Sequence, residues 1–351
     1  MRILVFGAGP LGSLFAARLH QGGHQVALLA RGKRLEDLRR HGIVIKSWES
    51  KTEEVVQVDL VEALLPNDAY DLVLVIMRKN KALGILPTLA KNQSGNILFL
   101  MNSAAGPQEL TDTLGKDRVM IGFPGAAGYL DGYKVIYINA EPERPATVYL
   151  GEPDGRTTPR VEQTRQALSQ GMYLNPEIQT EMDAWLKYHV ALLFPSLAPA
   201  LYLSNHDRLR MARTRDALVL AWRAMREGFK VLRTLHYPVT PASIKPYLLM
   251  PEPLGVALLK KIMQNQRMEV AMVCHARNIR DEIQQLNDEF LQLVEKSGVF
   301  SPNIQFLVSQ YNENAPALPD GSHNSIRMDW TGILLPLMGI ALIGLILLFL
   351  L

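Results

Sequence analysis

A doubly wound α/β domain, followed by an all-α domain and one C-terminal transmembrane helix, is the fold class this sequence predicts. Three observations predict it. Short apolar runs rich in Val, Ile and Leu alternate with helical patterns over residues 1–165, as parallel strands covered on both faces require. Residues 178–316 read as mostly helical. Residues 333–351 carry no charged or strongly polar side chain, and as a helix they would reach about 28 Å, close to the thickness of a bilayer core.

The strands of the first domain are Arg2–Phe6, Gln25–Leu29, Leu72–Met77 and Asn96–Leu100, with Val119–Gly122, Lys134–Asn139 and Ala146–Leu150 following. Helices are expected at Leu11–Gln21 and Ala82–Lys91. This alternation of strand and helix points to a parallel sheet. In the second domain, helices are expected at Glu181–Ala198, Thr214–Leu235 and Arg280–Lys296, the last stopped by Ser297-Gly298, with one more after Pro302. Residues 317–330 read as a polar linker containing Pro, Gly and Ser. The membrane span is expected over 331–351. Pro336, Gly339 and Gly344 would weaken a soluble helix but are tolerated in a membrane, and Trp330 sits at the interface position.

Composition narrows the function. The chain has 351 residues, 48% of them hydrophobic, and a formal net charge of +3. No Lys/Arg block reads as a nucleic-acid patch. The single cysteine, Cys274, cannot form an internal disulfide. His189, His206, His236 and His275 show no metal-ligand spacing with it or with each other, so no metal site is expected. No G-x-S-x-G elbow is present. The N-terminus enters a glycine motif directly, without the cleavage site of a signal peptide.

That motif is Gly7-Ala8-Gly9-Pro10-Leu11-Gly12, which fits G-x-G-x-x-G between an apolar strand and a helix. Gly7 permits the tight turn, Gly9 lets the backbone approach a pyrophosphate, and Gly12 lets helix and strand pack closely. The helix N-terminus offers N–H groups and a partial positive charge to the phosphates. An NAD-binding second strand usually ends in an acid. Here it ends Leu29-Ala30-Arg31-Gly32-Lys33-Arg34, and a guanidinium at Arg31 suits the 2′-phosphate of NADP(H). A Rossmann domain binding NADP(H) is therefore expected.

With these residues in view, the sequence resembles the ketopantoate reductase family over most of residues 1–315. The stretch Ile3–Arg31 is similar to that family's cofactor motif. Asp71-Leu-Val-Leu-Val-Ile-Met-Arg78 resembles its fourth strand, with Arg78 where Lys is usual and Lys79 next to it. Asn102-Ser-Ala-Ala-Gly-Pro-Gln-Glu109 is similar to its Asn-Gly-x-Gly loop, although Ser103 and Ala105 replace both glycines. Trp185-Leu-Lys187 matches the segment that carries the catalytic Lys. Asp281-Glu282-Ile283, with Asn287 and Ser301-Pro302-Asn303, is similar to the family's Glu-containing helix and the Pro-x-Asn beyond it.

The resemblance implies reduction of a small 2-keto acid by NADPH, with the substrate between the two domains and a possible homodimer. It implies Lys187 as proton donor, Glu282 as its orienting partner or a substrate hydroxyl acceptor, and Asn102 as the residue positioning nicotinamide or substrate. Arg78 or Lys79 would support the phosphates or the substrate carboxylate. Two departures bear on function. The family carries an Asn one helical turn after the Lys and commonly another a turn later, where this chain has Ala191 and Pro195. A substrate other than ketopantoate is expected. The alternative is a non-catalytic, membrane-anchored NADP(H) sensor or scaffold, favoured by those losses and by Ser103 and Ala105, and disfavoured by the retained Lys187. Because NADPH is supplied in the cytoplasm, the N-terminal part is expected there.

Overall fold

The computed structural model describes residues 1–312, 314–323 and 325–334, apart from the side chains of His275 and Asn278. By its own contacts the chain forms two compact units. One comprises Met1–Val190 and Glu269–Phe290, the other Ala191–Met268 and the described residues from Leu291 onward. This differs from the division read in the sequence at residues 165–178. The one strand after 165, at Leu174–Ile178, and the helical residues 182–190 and 269–290 belong with the first unit.

The first unit is built on an eight-stranded sheet in the order β12-β11-β8-β7-β6-β1-β2-β5. Its strands are β1 (Arg2–Phe6), β2 (Gln25–Leu29), β5 (Asp59–Val61), β6 (Leu72–Val75), β7 (Ile97–Leu100), β8 (Val119–Phe123), β11 (Ala146–Gly151) and β12 (Leu174–Ile178). Pairing is parallel except between β8 and β11. A second sheet, β4-β3-β10-β9, combines β3 (Ile43–Ser47), β4 (Glu54–Val56), β9 (Ala127–Asp131) and β10 (Lys134–Ile138). Short strands such as β4 and β5 left too little periodic signal in the sequence to be expected there.

Alternate residues of each central strand feed opposite cores. Ile3 and Val5 join Leu14, Phe15 and Leu19 of α1 (Pro10–Gln21) on one face. Leu4, Phe6, Val73 and Val75 join Leu86, Leu110 and Leu186 on the other. Burial on both faces is why these strands read as unbroken apolar runs. The register Phe6↔Val75 and Val75↔Phe99 brings the carboxyl ends of β1, β6 and β7 to one edge. The chain leaves β1 toward β2 on one side and returns to β6 on the other. The crevice outside those ends is therefore the topological switch point, where open α/β sheets take their ligands.

The helix expected over Ala82–Lys91 is broken into α3 (Lys79–Ala82), a 3₁₀ turn (Leu83–Ile85) and α4 (Leu86–Lys91). Pro87 has no N–H to continue the ladder, and Gly84 weakens the turn ahead of it. In the helix expected over Glu181–Ala198, α7 ends at Leu192 and a π turn spans Leu193–Leu197. Pro195 again removes a donor. The hydroxyl of Ser196 donates to the carbonyls of Ala191 and Leu192, at 3.2 and 2.7 Å, and so supplies part of what the ladder lost.

The second unit is helical. Asp207 caps α9 (Arg208–Arg213) by accepting the N–H groups of Leu209 and Arg210. Among the described residues, the longest helix of the unit, α10 (Arg215–Thr234), buries Leu218, Trp222, Met225 and Phe229. Residues 317–330, expected as a linker, are tied to these helices. Arg213 grips Asp320 with two 2.6 Å hydrogen bonds, and the N–H of Asp329 donates to Glu252. The expected membrane helix over 331–351 lies outside the described residues from 335 onward. Among the described residues no helix is long and apolar enough to cross a membrane.

Candidate active site at the carboxyl edge of the sheet

The glycine motif turns as its spacing requires. Gly7 has φ +121°, and a Cβ there would come within 2.6 Å of the Ile76 carbonyl. A Cβ on Gly12 would lie 1.7 Å from the Gly7 carbonyl, an overlap no side-chain adjustment relieves. A Cβ on Gly9 would meet nothing within 4 Å. Gly9 therefore has open space before it at the start of α1, whose N-terminus carries no side-chain cap, with Pro10 at its first turn. An open, uncapped helix N-terminus at the switch point fits a dinucleotide pyrophosphate.

The cations after β2 divide in their roles. Arg34 points back to the motif. Its Nε donates to the Ala8 carbonyl at 3.0 Å, and its Nη atoms donate to the Tyr133 carbonyl at 2.8 Å and the Ser13 hydroxyl at 2.9 Å. Arg34 is thus a strut for the Gly7–Gly12 loop. Lys33 pairs with Asp37 along α2 (Gly32–His41). Arg31 stays exposed at the end of β2, with its Nε on the Glu62 carbonyl at 3.0 Å. Of the three, Arg31 is the guanidinium left at the outer end of the strand.

The second half of the site gathers four segments. Asn102 follows β7, Arg78 and Lys79 follow β6, Lys187 rides on α7 (Met182–Leu192), and Glu282 rides on α14 (Arg280–Ser297). Met182, Trp185 and Leu186 anchor α7 to the sheet. Glu282 is buried, 3% exposed, and burial pushes its carboxyl up to about 7. It accepts hydrogen bonds from the Asn102 side chain and the Lys79 backbone N–H. The Oδ1 of Asn102 is buried without a hydrogen-bond partner.

Lys187 is 2% exposed, and its ammonium pairs with Asp183 one turn earlier. Burial pulls its pKa down while the Asp183 carboxylate opposes the fall. A small cavity beside the pair is lined by Phe99, Met101, Ile121, Leu186 and Asp183. Lys79 is also buried, with its ammonium 2.8 Å from Glu289 and 3.0 Å from the Ser103 hydroxyl. Arg78 instead pairs with Asp281 at 2.7 Å, and Asn80 donates to the same carboxylate. The sequence reading gives Arg78 or Lys79 to the phosphates or the substrate carboxylate; here Arg78 makes this pair through Nη1 and its side chain stays 39% exposed.

The structure thus links Lys187, Glu282 and Asn102 through Lys79 and the loop after β7. The Gly7 turn abuts Ile76 and Met77, immediately ahead of Arg78 and Lys79. Asp183 and Glu289 escaped the sequence reading. A signal for Glu289 exists: it lies seven residues after Glu282 on the stripe that includes Ile283, Leu286 and Phe290, where a charge must find a partner. Among the described residues no group of His, Cys, Asp and Glu is placed to hold a metal ion.

Residues 3–155 match the family model described as "Ketopantoate reductase PanE/ApbA". That match spans residues 3–155, less than half of the chain, and shows what this part is similar to. Curated relatives agree. An uncharacterized oxidoreductase of Bacillus subtilis (YkpB) is 30% identical over 193 residues, covering 54% of this chain and 61% of the relative. The chain thus spans less than two thirds of that protein. The 2-dehydropantoate 2-reductase of Archaeoglobus fulgidus is 25% identical over 243 residues, 69% of this chain and 77% of the relative. Among solved structures, a 2-dehydropantoate 2-reductase from Geobacter metallireducens aligns with a TM-score of 0.70 at 19% identity, covering 88% of this chain and 98% of that one. D-mandelate dehydrogenase with NADH and anilino(oxo)acetate aligns with a TM-score of 0.72 at 16% identity, covering 88% and 96%. An α/β dinucleotide fold followed by a helical region is common to this chain and the ketopantoate reductase structures.

Proposed function

We propose that this chain is an NADPH-dependent reductase of a 2-keto acid, of the ketopantoate reductase type, acting on a substrate other than ketopantoate. The ion pair between buried Lys187 and half-buried Asp183 supports this reading most directly, because a buried lysine with a lowered pKa suits proton donation. The cofactor, when bound, supplies hydride to the carbonyl carbon. Gly7, Ala8, Gly9, Pro10, Leu11 and Gly12 present the N-terminus of α1 to its pyrophosphate, and Arg31 takes its 2′-phosphate.

Lys187 hydrogen-bonds the substrate carbonyl oxygen and gives it a proton as negative charge develops there. Asp183 holds the ammonium in place. Its side chain is 27% exposed, so it gives the lysine a route to solvent for reprotonation. Glu282 holds the Asn102 amide, whose Oδ1 is the open acceptor for a donor on nicotinamide or substrate. The absence of an amide at Ala191 and Pro195 removes polar contacts and favours a less hydroxylated substrate than ketopantoate. The test is NADPH oxidation by the purified chain over a panel of 2-keto acids. Tight NADPH binding with no turnover of any of them leaves the sensor reading instead.

The apolar sequence over 331–351 supports a further part of the proposal, a single-pass anchor that leaves the catalytic part in the cytoplasm. Recovery of the full chain in the detergent-free soluble fraction contradicts the anchor. Sedimentation velocity in detergent tests the homodimer.

A further inference from the structure

We infer that Glu289 is a positioning residue that clamps the Asn102–Gly106 loop to α14 and to Lys79. This role rests on the reading of Lys187 and Asn102 as members of the reductase site. One carboxylate collects four donors from three separate segments. Its Oε2 accepts the N–H groups of Ala104 and Ala105, both at 3.0 Å. Its Oε1 accepts from Lys79 Nζ at 2.8 Å and Gln285 Nε2 at 3.0 Å. Its side chain is 10% exposed, so these bonds form where water competes little and each is correspondingly strong.

The loop that Glu289 holds carries functional groups at both ends. Asn102, at one end, bonds Glu282. At the other end, Gly106 packs so closely that a Cβ there would stand 3.3 Å from both Lys187 Nζ and Asp183 Oδ1. The Ser103 hydroxyl between them takes a bond from Lys79. Residues 103–105 occupy the stretch where the family resemblance places glycines, and a loop with these side chains is held here by an external carboxylate. Glu282 and Glu289 lie two turns apart on α14, so one helix face sets both the amide of Asn102 and the backbone behind it.

Removing the clamp leaves the groups present but loosens their geometry, and misplacement of this kind reduces turnover more than binding. In Glu289→Gln, amide hydrogen exchange at Ala104 and Ala105 should accelerate at least tenfold, while the α1 amides keep their wild-type rates. NADPH affinity and KM for the 2-keto acid should stay within about threefold, and kcat should fall by roughly ten- to a hundredfold. Glu289→Asp keeps the charge, withdraws the oxygens by one methylene and preserves folding. It should show the same pattern in smaller degree. Unchanged exchange at both amides in either variant overturns the clamp. Accelerated exchange with kcat within twofold of wild type overturns its positioning role. Because exchange is read without substrate, a failure to find any turnover sinks the reductase reading while leaving the clamp itself tested.

Discussion

Asn102 and Glu282, far apart in the chain, are hydrogen-bonded to each other at the carboxyl edge of the sheet. The same carboxylate takes the backbone N–H of Lys79. A loop after β7, a helix start after β6 and a late helix therefore meet at one buried acid. That meeting turns separate sequence matches into a single site.

Lys187→Met should abolish proton donation without emptying the cofactor site. The expected loss in kcat is about a hundred- to ten-thousandfold, with NADPH affinity within about threefold. Stopped-flow oxidation of NADPH, with binding followed separately by nucleotide fluorescence, checks both parts. Unaltered turnover removes Lys187 from the mechanism.

Glu282 carries a signature in pH. Its carboxyl titrates at about 7 in the fold against 4.5 unperturbed, so the folded state binds the extra proton between those values. Stability contributed by the neutral form is complete below about 4.5 and is lost as pH rises toward 7. Glu282→Gln escapes that loss and should gain up to about 3 kcal/mol over wild type on going from pH 4.5 to pH 8. Thermal melts of both proteins across that range measure the difference.

Arg31 and Arg34 should separate by cofactor. Arg31→Ala is expected to weaken NADPH by at least about tenfold and NADH by less than about twofold, because a 2′-phosphate contact is worth more than a kcal/mol. Arg34→Ala removes three hydrogen bonds that brace Ala8, Ser13 and Tyr133 and should weaken both nucleotides together. Titration of each variant with each nucleotide distinguishes the two roles.

Gly12→Ala places a methyl group 1.7 Å from the Gly7 carbonyl. The turn must open to admit it, so both NADPH binding and melting temperature should fall. Gly9→Ala meets no protein atom. It should leave the melting temperature of the nucleotide-free protein near wild type while weakening NADPH by at least about tenfold, since its methyl group enters the space of the pyrophosphate. Calorimetry on the two variants, with and without nucleotide, checks the contrast.

Several parts of the molecule were legible before any coordinates. The strands Arg2–Phe6 and Gln25–Leu29 stand where their apolar runs placed them, and the glycine turn has the conformations its spacing demanded. Breaks at Pro87 and Pro195 were present in the sequence but were outweighed by the apolar periodicity around them. The pairing of β3 with β10 and the tethering of residues 317–330 depend on partners far along the chain.

By itself the sequence determined the nucleotide-binding half, because its chemistry is local: a strand, a turn and a helix start contain every group that needs to be near the others. It also marked Lys187, Glu282 and Asn102 one at a time. Only the tertiary structure decided that Asn102 bonds Glu282, that Arg78 pairs with Asp281, and that Asp183 and Glu289 hold the two buried lysines. The physical reason is that sheet order and helix packing bring residues 78–80, 102–106, 183–187 and 281–289 together. Where burial excludes water, as at Lys79, Lys187 and Glu282, each charge must then find its partner across those segments.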